Sequence, residues 1–164
     1  MKILGIDPGT GILGFGVVEV SAKGGLRMVT AGVITTPAHT PLEERLVEIY
    51  DGLTEIIAET KPDVMSIEKL FFAQNITTAI SVSHARGVAM LTGKQANLEI
   101  AEYTPLQIKQ TLTGYGRADK KQMQEMVKLQ LGLREVPKPD DAADALAAAI
   151  THSLMSRQNG KMGR

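Results

Sequence analysis

Cysteine is absent, and only three phenylalanines and three tyrosines occur in 164 residues. Without cysteine there are no disulfides, thiolate nucleophiles, iron–sulfur clusters or cysteine zinc sites. Charge of one sign is lacking too: 18 Lys and Arg balance 18 Asp and Glu. That balance excludes a grossly basic nucleic-acid tail and a polyacidic chain, but not a local basic face. No run approaches the ~20 apolar residues needed to cross a bilayer. The apolar start is broken at Asp7-Pro8-Gly9, which argues against a signal peptide. The expectation is a soluble cytoplasmic protein with no membrane partner. Sixteen glycines show no three-residue period, so nothing collagen-like is implied. What remains is a chain of single-domain size, 43% hydrophobic, able to bury a core without staples.

Residues 2–7 read as a strand ending in a carboxylate, followed by the turn Pro8-Gly9-Thr10-Gly11. Strands are expected at 15–20 and 26–36, joined as an antiparallel hairpin through Lys23-Gly24-Gly25. Gly14 and Gly16 mark a close backbone approach or a bulge. Leu42, Leu46, Ile49, Leu53, Ile56 and Ile57 recur at helical spacing, with an acid row facing away from them. A strand at 64–68, a loop at 69–75 and a small-residue helix at 77–91 follow. Another strand spans 98–103, and Pro105 suits the start of a helix reaching about 112. The segment 113–117 looks flexible. Asp119 can cap a helix through 131, and Asp140 a last helix to about 156. Residues 157–164 read as a flexible basic tail. Strands first, then strands alternating with helices, give an α/β mixed sheet with helices on both faces.

Four acids stand out. Asp7 and Glu68 end strands, and Asp141 and Asp144 share one face of an Ala-rich, apolar helix. Buried carboxylates need protonation, pairing or a metal. If the two strands are neighbours, all four meet at one sheet edge. Oxygen ligands without cysteine or a histidine motif favour Mg²⁺ or Mn²⁺ over Zn²⁺. Two ions ~3.5–4 Å apart would activate a water and stabilise a leaving 3′ oxygen. The bland alternatives are an Asx turn at Asp7, a strand-end acid at Glu68 and a helix-dipole acid at Asp141.

Residues 41–68 carry eight acids against two bases, whereas 69–138 carry ten bases against five acids. Lys69, Arg86, Lys94, Lys109, Arg117, Lys120 and Lys121 are candidates for a phosphate-contacting side. Lys109 and Lys120 are favoured because they flank Gly114-Tyr115-Gly116 near the acids. Phe71 or Phe72 offers a ring to stack on or wedge between exposed bases, the alternative being an anchor for the loop or a subunit interface. Tyr115 is a candidate nucleic-acid contact. His39, His84 and His152 lack metal-ligand spacing and read as incidental.

Three stretches resemble the RuvC family of Holliday-junction resolvases. They are Ile3-Leu4-Gly5-Ile6-Asp7-Pro8-Gly9, Ile67-Glu68 with Phe71 and Asn75, and Asp141-Ala142-Ala143-Asp144-Ala145-Leu146-Ala147. Ala85-Arg86-Gly87, Tyr103-Thr104-Pro105 and Lys109-Gln110 agree, so the likeness runs in order over roughly residues 1–155. It implies a single RNase H-like nuclease domain at 1–156, built on a mixed five-stranded sheet. It also implies a homodimer that resolves four-way DNA junctions by two symmetric nicks, leaving 5′-phosphate and 3′-hydroxyl ends. On this resemblance Asp7, Glu68, Asp141 and Asp144 are catalytic acids holding Mg²⁺ or Mn²⁺, Lys109 and Lys120 active-site lysines, and Phe71 the stacking phenylalanine. The RuvA–RuvB branch-migration motor is the implied partner, and the small-residue stretch 79–89 is the expected dimer contact. The competing readings are an RNase H-fold nuclease for RNA or RNA–DNA hybrids, and a non-catalytic junction-binding module.

Overall fold

Three strands pair as successive antiparallel neighbours at the start of the chain: β1 (Lys2–Asp7), β2 (Ile12–Val20) and β3 (Leu26–Thr35). Short connections permit only this arrangement. Helical crossovers then add parallel strands on the other side of β1: α1 (Leu42–Thr60) leads to β4 (Val64–Glu68), and α2 (Ile76–Gln95) leads to β5 (Glu99–Tyr103). The sheet order is β3-β2-β1-β4-β5. Helices α3 (Pro105–Thr113), α4 (Lys120–Gln130) and α5 (Asp140–Met162) complete the chain. This computed structural model describes residues 1–70 and 76–162.

The period of two along each strand sorts side chains into two layers. Ile3 of β1 packs with Ile108, Met123, Val127 and Leu146, the core beneath α3, α4 and α5. Leu4 and Ile6 pack with Ile49, Leu53, Met65, Ile67, Ala85 and Ala89, the core beneath α1 and α2. Asp7 is in phase with Ile3, and Glu68 with Ser66, whose hydroxyl donates to Ala148 O of α5 at 2.7 Å. Both acids therefore leave the sheet on its α5 face.

Helix α5 lies against glycines. A Cβ on Gly5 would fall 1.9 Å from Ala145 O, and one on Gly14 2.0 Å from Asp141 O. On Gly16 it would meet Leu146. The close approach expected at Gly14 and Gly16 is thus made to α5. The sheet's irregularity lies instead between Val17 and Val18.

Three expectations need correction. Helix α2 runs to Gln95 because Gly93 lets it continue close to Met65 and Ile100. Segment 113–117 is a bonded cap: Gly114, at φ 72°, closes α3, and Thr113 Oγ1 accepts from Tyr115 N at 3.1 Å. Helix α5 continues into the expected tail as far as Met162, and Arg157 donates to Gly24 O at 2.5 Å. Among the described residues no helix is long and apolar enough to cross a membrane.

Candidate active site

Asp7 and Glu68 are brought together by the parallel pairing of β1 with β4, in which Ile6 faces Ile67. Helix α5 supplies Asp141 and Asp144 from its first two turns. Helix α3 begins with a capping box of Thr104 and Gln107 and Pro105 at its start, and it carries Lys109. Helix α4 begins with a second capping box, Asp119 with Gln122, which sets Lys120 at its first position.

A cleft of about 280 Å³ is lined by Glu68, Pro105, Ile108, Lys109, Lys120, Met123, Asp144 and Ala147. A second, of about 320 Å³, shares Glu68 and Pro105 with it and adds Asp7, Pro8, Lys69, Leu70, Val82 and Arg86. Lys120 Nζ stands 3.1 Å from Asp140 Oδ2 and 3.7 Å from Asp144 Oδ2. Gln124 Nε2 donates to Asp140 Oδ1 at 3.0 Å.

The acids disfavour one another's ionisation. Burial, then the charges of Asp144, Glu68 and Asp141, push the Asp7 carboxyl up to about 7. Burial and Asp144 raise Glu68, with Lys109 opposing. Burial raises Asp144, against the nearby Lys120. The hydrogen bond that Lys120 donates to Asp140 holds the ammonium above its ordinary value, and the same bond lowers Asp140.

Such a donor set suits a divalent cation: oxygen ligands only, with repelling charges that a cation would relieve. Among the described residues, however, no group of three acids is close enough to form a metal cage. The acids come from three different elements, β1, β4 and α5. Mg²⁺ in phosphoryl chemistry commonly takes one or two carboxylates and completes its shell with water and phosphate.

The remaining candidates are scattered. Arg117 and Lys121 are exposed on and before α4. Tyr115 is 56% exposed. It lines a groove with Thr113, Ala118, Gln122, Glu125 and Met126, away from both acid clefts. Phe71 and Phe72 lie outside the described residues. Arg86 turns inward: its guanidinium pairs with Glu102, and its Nε donates to Glu68 O at 3.3 Å. Lys94 ends α2, at the opposite end of the sheet from Asp7.

Sequence reasoning passed over Asp140 as the partner of Lys120, over Gln124 as the donor to Asp140, and over Glu102. The acid beside Asp141 was a visible signal for the first; nothing marked Glu102. His152, read as incidental, is buried, and its Nδ1 lies 2.9 Å from Tyr103 Oη, tying β5 to α5. Within the stretch 79–89, expected at a dimer contact, Ala79, Ala85 and Ala89 are buried in this chain's own core, whereas Ile80, Ser83, His84 and Gly87 are exposed. Ile76, Ile80 and Leu91 are the exposed apolar residues of α2.

Comparison with known proteins identifies the family. The family model described as crossover junction endodeoxyribonuclease RuvC matches residues 3–152. A protein of that name from Chloroflexus aurantiacus is 54% identical over 153 residues, 93% of each chain. Another, from Thermomicrobium roseum, is 51% identical over 157 residues, covering 96% of this chain and 95% of its own. The structure of Thermus thermophilus RuvC in complex with a Holliday junction substrate superposes with a TM-score of 0.92. It is 35% identical and matched over 97% of this chain and 96% of its own. The yeast mitochondrial Holliday junction resolvase Ydc2 (TM-score 0.66, 12% identity, 96% of this chain and 82% of its own) shares the fold. The mixed sheet flanked by helices is the RNase H-like fold, and the chain belongs to the RuvC family of crossover junction endodeoxyribonucleases.

Proposed function

We propose that the protein resolves four-way DNA junctions as a homodimer. It makes two symmetric nicks in strands of like polarity and leaves 5′-phosphate and 3′-hydroxyl ends. The observation that carries this reading is the cleft in which Glu68 and Asp144 face Lys109 and Lys120, with Asp7 alongside.

Asp7, Glu68, Asp141 and Asp144 would hold Mg²⁺, with Mn²⁺ as substitute and two ions expected per site. Bound there, the metal supplies Lewis-acid activation of water and neutralises phosphate charge. Lys109 and Lys120 face the scissile phosphate and offset charge as it develops. Lys120 is 55% exposed on its side chain, so it can swing from Asp144 to a phosphate. Arg117 and Lys121 contact the sugar–phosphate backbone, Tyr115 an adjoining strand, and Phe71 stacks on an exposed base.

The exposed stripe Ile76, Ile80 and Leu91 on α2 offers the second copy an apolar contact. A homodimer sets two sites in two-fold relation, as paired nicks require. The RuvA–RuvB motor is the proposed partner and the cytoplasm the proposed location.

The test is an immobile four-way junction, labelled on each strand, incubated with Mg²⁺. Paired nicks at symmetric positions with religatable ends are the expected product. Equal or faster cutting of an RNA–DNA hybrid would overturn the reading.

A further inference from the structure

The peptide joining Glu68 to Lys69 is the last of β4, and it is gripped at both ends. Its N–H, on Lys69, donates to Tyr103 O of β5 at 2.8 Å. A trans peptide sends its carbonyl the opposite way, so Glu68 O faces β1. The register that pairs Ile6 with Ile67 sets Asp7 beside Glu68 and Pro8 next in line. Proline has no N–H to give the ladder. Arg86 supplies the donor, Nε at 3.3 Å from Glu68 O.

Arg86 arrives from α2, on the face of the sheet opposite α5. Alternation along β5 sends Glu102 to that same face, since Tyr103 on the other meets His152 of α5. Glu102 pairs with the Arg86 guanidinium, and the two side chains are only 32% and 20% exposed. The fork therefore spans the back of β4, from the carbonyl of Glu68 to the carboxylate of β5. Glu68's own carboxylate leaves on the front.

We propose that Arg86 is a positioning residue for Glu68, anchored by Glu102, and not a contact to the DNA backbone. By fixing the plane of the last β4 peptide it fixes the direction of the Glu68 side chain. A displacement of about 1 Å at a catalytic group costs roughly 100-fold in rate. This role rests on the junction cleavage proposed above, and the wild-type protein on the same junction reports on that separately.

The decisive comparison is Arg86→Gln with Glu102→Gln. Junction affinity is read by fluorescence anisotropy in EDTA, the single-turnover rate at saturating junction in Mg²⁺, and folding by thermal melts. Both variants should slow cleavage roughly 10- to 100-fold while binding the junction within about twofold of wild type. Arg86→Lys, which keeps the charge and the pairing with Glu102 but loses the fork, should fall between. Glu102 is the discriminating position, because an anion has no attraction for phosphate. If Arg86 were a backbone contact, Glu102→Gln would free it, tighten binding and leave the rate intact. Arg86→Gln would then lose affinity. Either that pattern or unchanged rates in both variants would overturn the proposal. Should Arg86→Gln fail to fold, Glu102→Gln and Arg86→Lys carry the same comparison.

Discussion

Asp7 sits where folding and chemistry disagree. Burial and three neighbouring acids push its carboxyl up to about 7, so without a cation the folded chain resists ionising it. A folded value above the unfolded 3.8 means that the folded state binds the extra proton. The associated stability is fully present below about pH 4 and is lost as pH rises through about 7. Asp7→Asn removes the conflict. The metal-free variant should match wild type near pH 4 and exceed it by on the order of 4 kcal/mol at pH 8. Paired thermal melts across that range check it. Buried His152, whose value is lowered by desolvation, destabilises at low pH in both proteins and cancels in the difference. The same variant should bind the junction and not cut it; undiminished cleavage would remove Asp7 from the site. Asp7, Glu68 and Asp144 were legible in the sequence because acids at strand ends, or in an alanine-rich helix, contradict their surroundings. Arg86 was not, because a sequence displays a charge but not the face it takes.

Elements are positioned by what is missing between them. Gly5, Gly14 and Gly16 lack the Cβ atoms that would hold α5 off the sheet, and this seating carries Asp141 and Asp144 to the ends of β1 and β4. Gly14→Ala would set a Cβ 2.0 Å from Asp141 O, backbone against backbone, so the start of α5 must shift. Destabilisation of about 1–3 kcal/mol is expected, as for overpacked cores, with a further loss of single-turnover rate at saturating junction. A melt and a cleavage assay on one preparation separate the two effects. The strands and capped helices could be read locally, from alternation, Pro105 and Asp119. The inward face of α2 could not, because alanine, serine and glycine are spread around that helix and give no apolar stripe. Its exposed Ile76, Ile80 and Leu91 emerge only once α2 is docked. Ile80→Asp places a charge in that stripe and should shift the protein toward monomer in sedimentation velocity, with the melting temperature nearly unchanged. A dimer unaffected by the substitution would move the contact elsewhere.

The whole molecule is neutral yet divided. Glu48, Asp51, Glu55 and Glu59 are exposed on α1, which packs on the face of the sheet away from α5. Arg117, Lys120 and Lys121 are exposed at the start of α4, on the active-site side. A polyanion approaching the acid clefts meets the second group and not the first. Each phosphate contact releases counterions, and its loss lowers the slope of log affinity against log salt by about 1. The pair Arg117→Ala and Lys121→Ala should therefore weaken binding of an immobile junction in EDTA and flatten that slope by roughly 2 between about 50 and 200 mM salt. Neutralising Glu48 and Glu55 on α1 should leave the slope as it was, because α1 lies on the sheet face opposite the acid clefts and exposed charges are screened over a Debye length of ~8–10 Å. A slope altered equally by both pairs would mean that DNA responds to the total charge. A slope altered only by the α4 pair would mean that it responds to the division of charge between the two faces.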